Sequence, residues 1–153
     1  MKKLSLVFVV LVFALVSNLI SAQVQPVDKD HLAIGGYDVV SYFTANKATK
    51  GNAAYTVTHD GVNYHFASVK NQKVFKANPT KYIPQCNGYC AWGVAEKAVK
   101  FSINPETFTV SDGKLYLFFN GDFEGKPFNT LTEWKKEEKK YLSIVNGAWE
   151  KVK

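Results

Sequence analysis

The sequence predicts an α+β domain, an antiparallel sheet built from two β-hairpins with helices packed on one face. Two β-branched runs each turn at an Asp-Gly pair, Asp60-Gly61 and Asp112-Gly113, and continue into an aromatic strand. Asp-Gly is a strong signal for a two-residue hairpin turn, because both central residues need a positive φ. From Thr130 onward, apolar residues recur at helical spacing, which predicts a long C-terminal helix.

The N-terminus has the layout of a secretory signal peptide. Lys2 and Lys3 precede an apolar run from Leu4 to Ile20, and the small pair Ser21-Ala22 ends it. We expect residues 1–22 to be a signal peptide cleaved after Ala22, which predicts a periplasmic or secreted protein. The alternative is a retained anchor helix, since the run approaches the length that spans a bilayer. Residues 23–153 are long enough for one domain with a usable core.

The first half of this domain is predicted to contain two short helices around the first hairpin. Asp38 is placed to cap a brief helix. The Asp60-Gly61 turn sets the register of the strands between Tyr55 and Phe66, so that His65 lies on the polar face. Ser68 is the predicted cap of a helix over 69–77, which ends before Asn78-Pro79.

The second half is predicted to hold the buried hairpin and the long helix. The strand from Leu115 to Phe119 is apolar on both faces, which predicts a central, buried strand. Thr130 and Glu133 form a candidate capping box. The segment after Cys90 is compatible with either a strand or a helical turn.

Charge and motif content disfavour nucleic-acid binding and catalysis. The chain has a formal net charge of +6, and its basic residues are all lysine. Arginine supplies the bidentate contacts that dominate base and phosphate recognition, so its absence argues against nucleic acid. No paired carboxylates, nucleophile elbow or glycine-rich phosphate loop stands out, which predicts a non-enzymatic protein.

The only two cysteines, Cys86 and Cys90, are the candidate chemical centre. In an oxidising compartment the pair favours a disulfide, closed by a turn at Asn87-Gly88. A second hypothesis is a soft-metal site in which both thiolates and the His65 imidazole bind Cu(I); zinc would need a fourth ligand. A third is thiol–disulfide exchange, although the spacing is not Cys-x-x-Cys.

Several motifs, in order, resemble the secreted bacterial type of the YHS-domain family. They are Ala33 to Phe43, Tyr64-His65-Phe66-Ala67-Ser68, Phe75 to Tyr82, Gly88-Tyr89-Cys90-Ala91-Trp92 and Asp112 to Leu117. The resemblance covers most of the chain after residue 22. It implies a relationship to small cysteine-rich metal-binding modules, some of which accompany copper transport proteins.

The chain departs from the metal-binding pattern of that family. Metal-binding relatives carry cysteine at the position of Ala67 and in the next helix turn, where Val69 to Gln72 stand. The inherited thiolate site is therefore missing, and Cys86 is unusual among secreted relatives.

Two main functional hypotheses follow. The first is a secreted, non-enzymatic YHS-type domain that binds a transition metal such as copper through Cys86, Cys90 and His65. The second is a binding module for a small ligand or a protein, with a structural Cys86–Cys90 disulfide and a pocket at Tyr37, Tyr89 and Trp92. A thiol–disulfide oxidoreductase is the third alternative.

Overall fold

The computed structural model describes residues 23–153 and confirms the predicted α+β class. The predicted signal peptide lies outside the described residues. The elements are helices α1 (Ser41–Thr44), α2 (Val69–Ala77), α3 (Pro79–Tyr82), α4 (Thr130–Lys136) and α5 (Glu138–Val152), with strands β1 (Asn52–His59), β2 (Val62–Phe66), β3 (Asn104–Ser111), β4 (Lys114–Phe118), β5 (Asn120–Phe123) and β6 (Lys126–Asn129). A π-helix spans Gly93–Lys97, and two 3₁₀ turns span Ile34–Gly36 and Gln85–Gly88.

The first hairpin, β1–β2, has the predicted register. Thr56 pairs with His65 across the ladder, and Val57 pairs with Tyr64. Asp60 and Gly61 have φ values of 50° and 76°, as a two-residue turn with positive φ at both positions requires. The turn dipeptide therefore sets the register of this hairpin, as the sequence predicts.

The second hairpin, β3–β4, repeats the first in detail. Asp112 and Gly113 turn with φ values of 52° and 70°, and each hairpin carries a register irregularity before its last pair, Asn52↔Phe66 and Asn104↔Phe118. Burial separates the two, because Leu115 to Phe118 of β4 are all buried. The predicted burial is confirmed for these four residues, but Phe119 is only half-buried, and the predicted central position is wrong because β4 pairs with β3 alone.

The strands do not join into one sheet. Among the described residues, each hairpin is its own two-stranded antiparallel ladder, and β5–β6 is a third hairpin that the sequence analysis did not predict. Its turn, Glu124-Gly125, again has positive φ at both positions, 54° and 79°. Glutamate is a rare residue at positive φ, which is why this turn signal is weak in the sequence.

The helix after the first hairpin begins as predicted. Ser68 Oγ accepts a hydrogen bond from the Asn71 amide at 3.1 Å, and α2 spans the predicted residues.

The C-terminal helix differs from the prediction in two respects. It is split at Glu137, whose φ of −137° and ψ of 36° interrupt it between α4 and α5. Its cap is Asn129, whose side-chain oxygen accepts from the Leu131 amide at 3.0 Å. The capping box at Thr130 and Glu133 is therefore wrong, because the Thr130 hydroxyl is directed into the protein instead.

Asp38 connects the N-terminal segment to the first hairpin. One oxygen of this buried carboxylate accepts hydrogen bonds from the Val40 and Ser41 amides at 2.9 and 3.3 Å, just before α1. The other accepts from the Ala67 amide at 2.9 Å and from Asn71 Nδ2 at 2.7 Å. Asp38 thus binds amides at the start of α1, although Val40 and not Asp38 occupies the N-cap position, and it also binds the β2–α2 junction.

A group of buried aromatic rings around Trp134 forms the centre of the core between β4 and the C-terminal helices. We call it the packed cluster, and it comprises Tyr116, Phe118, Trp134 and Tyr141. Ring centroids of the other three lie 5.3–5.4 Å from that of Trp134. Between residues 23 and 153, the helices are too short or too polar to cross a bilayer.

Candidate functional site

The cysteine segment adopts an unusual left-handed turn. Cys86, Asn87 and Gly88 have φ values of 55°, 48° and 84°, and the Tyr89 amide donates to the Cys86 carbonyl at 3.0 Å. Ala91 and Trp92 then begin the helical segment that becomes the π-helix. The turn expected at Asn87-Gly88 is present, and the segment after Cys90 is helical.

Both cysteines are buried free thiols, so the structure has no disulfide where the sequence favours one. Cys90 Sγ lies 3.2 Å from the hydroxyl of Thr130, which is 40 residues later in the chain. The Gly93 amide also donates to this sulfur at 3.5 Å. These contacts occupy the Cys90 thiol within the interior.

Burial sets the acidity of the other thiol. Desolvation, followed by the neighbouring Cys90, raises the pKa of Cys86 to about 12. Cys86 in turn contributes, after burial, to the raised pKa of Tyr116 in the packed cluster. A thiol that stays protonated at neutral pH is a poor nucleophile, which argues against thiol–disulfide exchange.

The predicted metal ligands are not assembled. His65 lies in β2, where its Nδ1 is 3.3 Å from the position that a Cβ on Gly36 would take. Within residues 23–153, no three histidine, cysteine, aspartate or glutamate side chains are grouped so that they could hold a metal ion. The set of Cys86, Cys90 and His65 is therefore not brought together.

Two of the three predicted pocket residues do not line the cavity that is described in the next paragraph. Tyr37 is covered by Lys50, whose Nζ is 4.6 Å from the ring centroid. Tyr89 lies beside Trp149, and Lys100 Nζ is 5.5 Å from both ring centroids. Only Trp92 lines the cavity described next.

A cavity of about 560 Å³ lies between the π-helix and the β5–β6 hairpin. Half of its lining residues are aromatic, and we call these rings the open cluster: Trp92, Phe101, Phe119, Phe123 and Phe128. The volume falls in the range of small-molecule sites, which are usually apolar clefts with a few polar groups.

The hairpin supplies one wall of the cavity because of its register. Gly121 pairs with Phe128, and Phe123 pairs with Lys126. Since side chains alternate between faces along a strand, Phe123, Lys126 and Phe128 share one face. All three line the cavity, and Phe123 is 43% exposed.

A close approach at Gly93 positions another wall. A Cβ on this residue would lie 2.4 Å from Cδ2 of the Phe101 ring. Only glycine therefore lets Phe101 pack against the start of the π-helix. The helix ends at Lys97, and the next residue, Ala98, has a φ of 53°. Turns of π-helix are frequent at functional sites.

The rings of the open cluster surround Phe123 more loosely than those of the packed cluster surround Trp134. Centroid distances to Phe123 are 5.9 Å from Phe128, 6.2 Å from Phe101 and 6.4 Å from Phe119. The Trp92 ring meets Phe128 edge-on at 5.5 Å. The arrangement leaves apolar space that these side chains do not fill.

Charged residues also line the cavity: Lys97, Lys126 and Glu124. Lys97 Nζ lies 5.7 Å from the Trp92 ring centroid. In the described part of the chain, neither lysine forms an ion pair. The buried Thr130 hydroxyl, which donates to the Phe119 carbonyl at 3.0 Å, is at the cavity wall and adjoins Cys90.

The chain matches no protein-family model, no curated protein and no solved structure. The case for this site therefore comes from its own geometry.

Most of the cavity lining was not predicted from the sequence. Phe119, Phe123 and Phe128 were not predicted to line a site. The available signal was two phenylalanines on either side of Glu124-Gly125, in a segment otherwise poor in apolar residues.

Proposed function

We propose that this chain is a secreted, non-enzymatic domain of the YHS type that binds a small apolar molecule in the cavity of the open cluster. The observation that carries the proposal is a cavity of about 560 Å³ lined by five aromatic rings. Soluble domains usually fill such a space with side chains, and an exposed, contiguous apolar surface marks an interaction site.

Burial of a ligand there removes apolar surface of both partners from water. Phe123 would lose much exposed apolar surface on binding, since 43% of its surface is exposed in the free protein. The wall on the Thr130 side is anchored in the core through the contacts of its hydroxyl, so part of the site is preformed.

The test is a titration of the protein with N-phenyl-1-naphthylamine, an uncharged apolar dye that fluoresces when it leaves water. We expect saturable binding, and a loss of at least about tenfold in affinity on Phe123→Asp, which places a carboxylate among the rings. Val69→Asp is the matched control, because Val69 is 45% exposed on α2, away from the cavity. Equal affinity in the two variants would contradict the proposal.

A second candidate is Cu(I) binding by Cys86 and Cys90. Both thiols are free, and Cys86 borders a surface recess of about 250 Å³. Two thiols suit a soft monovalent ion, whereas zinc would need further ligands that are not grouped here among residues 23–153. His65 takes no part in this version of the site.

Copper titration of the reduced protein tests this candidate. We expect near-stoichiometric Cu(I) uptake that is lost in the Cys86→Ser/Cys90→Ser double variant. Because the Cys86 proton must leave, affinity should rise with pH. Absence of uptake by the reduced protein would remove this candidate and leave the aromatic cavity unaffected.

A further inference from the structure

We propose that the ligand of the open-cluster cavity is an amphiphile with a single apolar body and a carboxylate head, and that Lys97 and Lys126 bind this head. This inference rests on the proposed function and adds the chemical class of the ligand.

The two lysines belong to different elements of the cavity lining. Lys126 shares a face of the β5–β6 hairpin with Phe123 and Phe128, and Lys97 is the last residue of the π-helix. Both are exposed lysines in the cavity lining, and their flexible side chains can extend toward the end of a molecule whose body lies among the rings. Neither group forms an ion pair among the described residues.

The nearby carboxylates offset only part of the charge of these two lysines. Glu96 precedes Lys97 in the chain but lies 3.7 Å from Lys140 on α5. Glu124 is the only acidic residue in the cavity lining and stands at the exposed tip of the hairpin. The lining therefore has an excess of one positive charge, and the chain as a whole is basic, which also attracts anions.

The same charges disfavour the opposite ligand. Aromatic walls can bind a cation through their faces, but Lys97 already lies 5.7 Å from the centre of the Trp92 ring. A ligand cation would meet repulsion from two ammonium groups. An uncharged ligand would use the walls alone and gain nothing from the lysines.

Three ligands of equal chain length separate these cases: decanoate, decanol and decyltrimethylammonium. Each is titrated by calorimetry into protein purified from cells that express the full chain. The test variant is Lys97→Gln/Lys126→Gln. The control is Lys73→Gln/Lys76→Gln, which removes the same net charge from exposed positions on α2.

We expect the cavity variant to bind decanoate about tenfold more weakly than the wild type, since each partly exposed charge pair contributes a few-fold. Decanol affinity should stay within about twofold, and decyltrimethylammonium affinity should rise. The control variant should change none of the three by more than about twofold. The decanoate difference should shrink as NaCl is raised from about 0.05 to 0.5 M, because salt screens exposed charges.

The experiment distinguishes failure of the carboxylate proposal from failure of the proposed function. If decanol binds and the two double variants have the same decanoate affinity, the carboxylate proposal is overturned and the apolar cavity stands. If neither decanol nor decanoate binds at all, the proposed function itself is overturned. Circular dichroism of both variants confirms that the fold is retained.

Discussion

The packed cluster and the open cluster are both built from aromatic side chains, but one fills the core and the other surrounds a cavity. Around Trp134, ring centroids lie 5.3–5.4 Å apart and all four rings are buried. Around Phe123, the distances are 5.9–6.4 Å, and the central ring is 43% exposed. Aromatic content alone therefore does not distinguish a hydrophobic core from a binding site. The unfilled space between the rings distinguishes them.

The two clusters also differ in what covers them. The packed cluster lies between β4 and both C-terminal helices, and α5 also packs against the π-helix. The open cluster has the short β5–β6 hairpin on one side, where Phe123 is 43% exposed, and this hairpin contacts β3 and the Gln23 side chain. We therefore expect substitutions in the first to change stability and substitutions in the second to change binding.

The largest effect is expected at the centre of the packed cluster. Trp134→Ala should lower the free energy of unfolding by about 4 kcal/mol, because a fully buried indole leaves a cavity that the neighbouring rings cannot fill. Urea denaturation measures this change. A loss below about 1 kcal/mol would mean that the cluster is not packed as described.

The next effect is a pH dependence at the edge of the packed cluster. The pKa of Cys86 is raised from 9.0 to about 12, so the folded state keeps a proton that the unfolded chain releases. The stabilisation is fully present below pH 9 and is lost as the pH rises toward 12, by up to about 4 kcal/mol.

Cys86→Ser removes this titration and provides the comparison. The free energy of unfolding of the wild type should fall more steeply between pH 9 and 11 than that of the variant. Parallel curves would show that the thiol is not protected by burial.

A smaller effect is expected where the π-helix meets the open cluster. Gly93→Ala should lower the free energy of unfolding by about 2 kcal/mol, because its Cβ would overlap the Phe101 ring. Gly147→Ala on α5 is the matched control, since no atom lies within 4 Å of its added Cβ. In a helix interior that control should be neutral or stabilising by up to about 1 kcal/mol. Thermal denaturation of both variants tests the contrast.

The smallest stability effect is expected at the centre of the open cluster. Phe123→Ala should change the free energy of unfolding by less than about 1 kcal/mol, because its exposed ring contributes little to the core. Urea denaturation beside Trp134→Ala measures the difference between the clusters. A loss as large as that of Trp134→Ala would make Phe123 a core residue and remove the contrast.

Local chemistry explains which parts of the fold could be predicted. Asp60-Gly61, Asp112-Gly113 and the Ser68 cap act within a few residues, and the structure has each of them. The Glu124-Gly125 turn escaped prediction because glutamate rarely has a positive φ. The break between α4 and α5 at Glu137 was not predicted, because the helix is interrupted there without a glycine or proline.

The candidate sites depend on contacts distant in sequence, which is why the residues alone predicted them poorly. The Cys86–Cys90 spacing permits a closed turn, but the Cys90 thiol is directed by Thr130, 40 residues later. Similarly, Trp92, Phe101 and Phe128 face one cavity only after the π-helix and the third hairpin come together. Spacing along the chain contains neither fact.

We propose that an apolar ligand lies among the rings of the open cluster. The most direct measurement is a set of intermolecular nuclear Overhauser effects between ¹³C-labelled protein and bound decanoate. We expect contacts from the methylene chain to the ring protons of Phe101, Phe123 and Phe128. Contacts to other surfaces alone, under conditions where decanoate binds, would contradict the account.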